Sequence, residues 1–215
     1  MSAVGICRPA VLLAICALVL FLQWPATIAC SGLGPCQKRE GMPKLNLTKF
    51  SGHWYEIERS FYLMELVRSC ITMDITELPY GKLGVSIKAK STWTGRFSFS
   101  EGIATPTKKD PSVVMYKVNN KLPKVVNKYV PRLVNYYLPG SGYYQVLRTD
   151  YVNYAILYSC NDYGIVHSDL IWIWGRLKEM DAEMRSDIYG ILAEYRLDSE
   201  RLTLSKNANC TDDDE

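Results

Sequence analysis

Few side chains in this 215-residue chain have the types and spacing that do covalent chemistry. It holds two histidines, His53 and His167, and neither stands beside a nucleophile motif that would make it a general base. Each is expected to be a satisfied or solvent-exposed histidine. The seven cysteines, Cys7, Cys16, Cys30, Cys36, Cys70, Cys160 and Cys210, are spaced too widely to resemble a zinc site. No catalytic residue, metal or cofactor is expected, and the chain does not read as an enzyme. A formal net charge of +3 supplies no bulk field for a nucleic-acid partner. What remains is the chemistry of apolar and aromatic surfaces, of oxidised thiols and of carbohydrate attachment.

The N-terminal segment sets the compartment in which those thiols would sit. Arg8 precedes a run from Ala10 to Leu22 that is too short for a membrane span, which needs about 20 apolar residues. With small residues at Thr27 and Ala29, the segment 1–29 reads as a secretory signal peptide carrying Cys7 and Cys16 away with it. Cleavage before Cys30 leaves that thiol available for dimerisation, whereas cleavage just after it removes the thiol. In an oxidising compartment four of the remaining cysteines are expected to form two bridges. Asn46-Leu-Thr48 is a glycosylation sequon. Asn209-Cys-Thr211 is another, disfavoured if its cysteine is bridged. Residues 211–215 form an acidic tail with no hydrophobic anchor signal. The protein is therefore expected to be secreted and extracellular.

From Trp54 to Leu177 the dominant hydrophobic period is two, which predicts antiparallel strands in a barrel or sandwich. Leu83, Val85, Ile87 and Ala89 alternate with Gly84, Ser86, Lys88 and Lys90. Phe97 and Phe99 repeat the pattern after a Thr94-Gly95 turn, and Val114, Tyr116 and Val118 continue it. Further strands are read around Tyr144 and Val146, over 153–160 and over 165–174. Met180, Met184, Ile188, Ile191, Leu192 and Tyr195 recur at helical spacing, so one helix packs against something large. A last short strand is read over 201–204.

Three short motifs punctuate this run. Gly52-His53-Trp54 opens the first strand, with a glycine able to turn the chain beneath the indole. Thr149-Asp150-Tyr151 separates two later strands, and Arg176 closes the last one before the helix. In that order they resemble the signature regions of the lipocalin family, most closely the branch of apolipoprotein D and insect Lazarillo. The resemblance implies an all-β fold with one helix: an eight-stranded antiparallel up-and-down barrel over residues 30–210, with a C-terminal α-helix packed on its outside. It implies that Arg176 lies across Trp54 at the closed end, a structural contact, and that Asp150 bonds backbone amides in a turn. It pairs Cys36 with Cys160 and Cys70 with Cys210.

The resemblance also implies an inward set that binds a small hydrophobic ligand: Val85, Ile87, Ala89, Phe97, Phe99, Tyr116, Tyr144, Val146, Trp172 and Trp174. Ile87, Ala89 and Ser91 fall where relatives hold polar pocket residues, which favours a fatty acid, sterol, hydrocarbon or retinoid. A mouth methionine proposed to reduce lipid hydroperoxides in relatives has Leu138 at the matching place. Residues 119–142 form an insertion at the open mouth that is rich in lysine and free of acidic residues. It is read either as a contact with anionic lipid surfaces or lipoprotein particles, or as a lid with solvated lysines. Two functional readings follow. One is a carrier of a small hydrophobic ligand. The other is a signalling or adhesion protein that acts through contacts with a cell-surface receptor.

Overall fold

The computed structural model describes residues 32–60, 68–119, 141–207 and 210. The expected signal peptide, residues 61–67, nearly all of the 119–142 insertion and the acidic tail lie outside the described residues, as does Asn209.

Two elements precede the sheet's main run: β1 (Gly32–Leu33) and the single helical turn α1 (Leu47–Phe50). The strands β2 (Gly52–Ser60), β3 (Arg68–Leu78), β4 (Lys82–Ser91), β5 (Phe97–Pro106), β6 (Val113–Val118), β7 (Gly142–Thr149), β8 (Tyr154–Asp162) and β9 (Val166–Gly175) then follow. Each pairs antiparallel with the next, and β9 returns to pair with β2. The result is the expected eight-stranded up-and-down barrel. At the β3–β4 connection Tyr80 and Gly81 take φ of 64° and 66°, the left-handed pair that a two-residue hairpin turn requires.

The period-two pattern produces two cores on either side of this wall. Trp54, Met73, Ile75, Leu83, Ala104, Val114, Val146 and Leu157 fill the inner face. Ile57, Leu147, Ile156, Ile171 and Ile173 face outward and meet α2 (Ala182–Glu194). Asp181 caps that helix by accepting a 2.7 Å hydrogen bond from the Met184 amide. Of the helical stripe, Ile188 and Leu192 are wholly buried, while Met180, Met184, Ile191 and Tyr195 pack at its margins. Burying one such aliphatic side chain contributes about 1.5–3 kcal/mol, so this contact fixes the helix.

Two arms tie the ends down. Cys36 is bonded to Cys160 and Cys70 to Cys210, the pairings the family resemblance implied. A 3₁₀ turn (Ser199–Arg201) leads into β10 (Leu202–Leu204), which pairs with residues 58–60 of β2. β3 pairs with β2 only over residues 52–55, so the C-terminal arm lies along β2 where β3 has left it. The Cys70 amide donates to the Lys206 carbonyl at 3.2 Å, continuing that contact into the bridge.

Candidate functional site

The closed end of the barrel is built on Trp54, which has no exposed surface. Its Nε1 donates to the Phe50 carbonyl at 2.9 Å, and the two rings lie 5.5 Å apart. Arg176 lies over the indole, its Cζ 3.6 Å from the ring centroid. Its guanidinium donates to the carbonyls of His53 (2.8 Å), Ser51 (2.9 Å), Lys49 (3.0 Å) and Tyr151 (3.1 Å). Gly52 takes φ of 107°, and a Cβ there would stand 3.0 Å from Arg176 Nη1, so both the turn and the lid need glycine. Thr149 Oγ1 donates to the Tyr154 carbonyl at 2.6 Å, and the Tyr151 amide donates back to that hydroxyl. Asp150 accepts the amides of Asn153, Val152 and Tyr154 at 2.8–3.0 Å. Burial alone would raise its pKa, but these amides and the Asn153 side chain outweigh it and hold the carboxyl below its ordinary value. These contacts tie side chains to backbone groups at the closed end.

Above this floor, the expected ligand-lining set divides. Val85, Ile87, Tyr116, Tyr144, Val146, Trp172 and Trp174 belong to or pack on the inner core, and Ala89 continues the Val85–Ile87 row. The Tyr116 and Tyr144 ring centroids are 6.2 Å apart and those of Tyr144 and Trp172 are 5.4 Å apart, forming an aromatic belt. Phe97 and Phe99 are not part of it. The β4–β5 register sets Phe97 opposite Lys90 and Phe99 opposite Lys88, on the outer face, and sets Ser98 and Ser100 opposite Ala89 and Ile87 inside. The Lys88 and Lys90 ammonium groups lie 4.7 and 5.5 Å from the Phe97 ring centroid, and Phe99 is 69% exposed. Apolar alternation misread this strand because Phe97 can sit outside beneath two lysines and Phe99 beside it in solvent, while small polar residues leave room inside.

Sequence reasoning also missed an ion pair on the inner wall. The register between β2 and β9 shifts between Glu56 and Glu58, a β-bulge that interrupts the strand's alternation. Glu56 is therefore opposite Trp174 and Arg59 opposite Trp172, both on the inner face. Arg59 donates to Glu56, with side-chain exposures of 10% and 6%, and Ser205 Oγ donates to the same carboxylate at 2.7 Å. Glu58, turned outward by the bulge, meets α2: Tyr189 Oη donates to it at 2.8 Å, and Arg185 Nε lies 2.7 Å away. Burial and the neighbouring Glu58 push the Tyr189 pKa up to about 12. A Glu-Ile-Glu-Arg run reads as an ordinary alternating strand, and nothing in it announces the bulge.

A family model described as "Lipocalin / cytosolic fatty-acid binding protein family" matches residues 124–207. Apolipoprotein D of Cavia porcellus is 30% identical over 181 residues, 83% of this chain and 86% of that protein. The chain belongs to the lipocalin family. Apolipoprotein D of Bos taurus is 29% identical over 83% of this chain and 85% of its own. Among solved structures, insecticyanin from the tobacco hornworm Manduca sexta aligns with a TM-score of 0.64 at 19% identity, covering 81% of this chain and 87% of its own. Lobster apocrustacyanin A1 aligns with a TM-score of 0.62 at 17% identity, covering 81% and 91%. These two show the shared fold. As a lipocalin with an apolar, aromatic inner wall, the chain is of the class that binds small hydrophobic ligands, and the two disulfides among the described residues fit an oxidising compartment.

Proposed function

We propose that this lipocalin is a secreted, extracellular carrier of a small hydrophobic ligand, held against the belt of Tyr116, Tyr144 and Trp172. The single observation that carries the reading is that belt, closed beneath by Trp54 and Arg176, with the outer wall and its helix forming a separate core. Asn46 is exposed and caps α1 through Oδ1, a bond that leaves its amide nitrogen uninvolved, which suits a glycosylation site. Docking of the open end on anionic lipid surfaces belongs to the same reading. Trp93, 84% exposed at the β4–β5 tip with Arg96 beside it, supports it.

The test is native mass spectrometry of protein secreted from eukaryotic cells. A stoichiometric lipid that disappears in Trp172→Ala and Tyr144→Arg is expected. A barrel empty in every preparation and deaf to added fatty acids, sterols and retinoids would overturn carriage. Liposome flotation checks docking: equal flotation of the full chain and one shortened within residues 120–138 sinks it. The second reading, a signalling or adhesion lipocalin working through protein contacts, is favoured by the outer groove lined by Ile103, Met115, Lys117 and Tyr143, with Tyr143 50% exposed. Saturable cell-surface binding that survives Trp172→Ala would select it.

A further inference from the structure

The inner wall is not uniformly greasy. Tyr116 is 6% exposed, and its ring lies against Gly102, where a Cβ would come within 2.4 Å of the ring edge. No group among the described residues accepts the hydrogen of its buried hydroxyl, nor that of the buried Nε1 of Trp174. A buried donor left unpaired is costly, and such groups in a folded interior ask for an explanation. Burial raises the Tyr116 pKa, partly offset by the Ser100 side chain, which hydrogen-bonds toward the phenol oxygen, so the phenol stays protonated and keeps its own hydrogen to donate. The indole N–H can only donate. Both orphans therefore ask for an acceptor.

The charges on this wall narrow the acceptor further. Among the described residues, the buried charged groups on the inner face are Glu56 and Arg59, and they are paired with each other beside Trp174 and Trp172. Arg59 is thus matched, and an incoming carboxylate would meet the Glu56 carboxylate in a desolvated place, which is costly. A neutral oxygen meets no such penalty.

Resting on the carrier reading, we propose that the barrel selects an uncharged, largely apolar molecule bearing a carbonyl-type oxygen. Tyr116 is its specificity-determining residue, donating a hydrogen bond from the phenol to that oxygen. Discrimination is then a matter of one hydrogen bond against an apolar isostere and of one unmatched charge against an acid.

The experiment uses three probes of equal chain length, an alkane, its methyl ketone and its fatty acid, each displacing a fluorescent reporter from the full secreted protein at neutral pH. The ketone is expected to bind about tenfold tighter than the alkane, the size of one good hydrogen bond, and tighter than the acid. Tyr116→Phe should collapse the ketone-to-alkane ratio to about one, a ratio that a general loss of folding would not move. Glu56→Gln, which removes the buried carboxylate that an acid would meet, should narrow the gap between ketone and acid. Equal binding of ketone and alkane, a ratio unchanged in Tyr116→Phe, or an acid that binds tightest to the unmutated protein would each overturn the proposal while leaving carriage standing. Failure of all three probes to bind overturns carriage and the proposal together.

Discussion

Arg176 joins more of the closed end than any single apolar contact can, because one planar cation serves an indole face and five backbone carbonyls at once, Phe50 being the fifth at 3.5 Å. Arg176→Ala removes the cation–π contact and leaves those carbonyls to water, so a loss of about 2–4 kcal/mol is expected in urea unfolding followed by tryptophan fluorescence. Arg176→Lys should recover less than half, since an ammonium cannot span the carbonyls; full recovery would show that charge alone matters. Asp150 works by the same logic with the opposite sign. Its folded pKa is depressed, so its contribution is complete above the ordinary carboxylate range and is lost as pH falls through the folded value. The stability gap between the unmutated protein and Asp150→Asn should therefore close as pH drops below about 4, and a gap constant with pH would contradict the hydrogen-bonded turn.

Among the elements, α2 and the two arms hold the barrel from outside. Leu192→Ala empties a site with no exposure between helix and wall and should cost about 2–5 kcal/mol. Cys70→Ser should cost about 2–4 kcal/mol and raise hydrogen exchange in 202–206, because that bridge ends the segment pairing with β2. Protection there identical to the unmutated protein would show that β10 needs no tether. Strand existence, the helix and the closed-end motifs were legible in the sequence because each is a local signal: period two, period 3.6, and a glycine before a tryptophan. Facing was legible only where alternation ran unbroken. At β2 the bulge after Glu56 carried Arg59 inward, and at β5 the register with β4 turned Ser98 and Ser100 in and Phe97 and Phe99 out. Both are set by pairing with a neighbouring strand, which no single segment encodes.

For the whole molecule, the consequence is a partition into two faces with different duties. The inner face holds the aromatic belt and a matched ion pair, and the outer face of β4–β7 carries Phe97, Phe99, Met115 and Tyr143 among lysines. A ligand bound inside stabilises only the folded barrel, by about 2.7 kcal/mol at a hundred times its dissociation constant. A midpoint shift in thermal unfolding therefore reports ligand binding, and variants of each face show which one holds the ligand. Replacing both Phe97 and Phe99 by serine should leave the ligand-induced shift intact, because neither ring reaches the interior, whereas Trp172→Ala should abolish most of it. The reverse result, a shift lost with the phenylalanines and kept without the indole, would place the ligand on the outer wall. It would then be the exposed groove around Ile103 and Met115, rather than the belt, that does the binding.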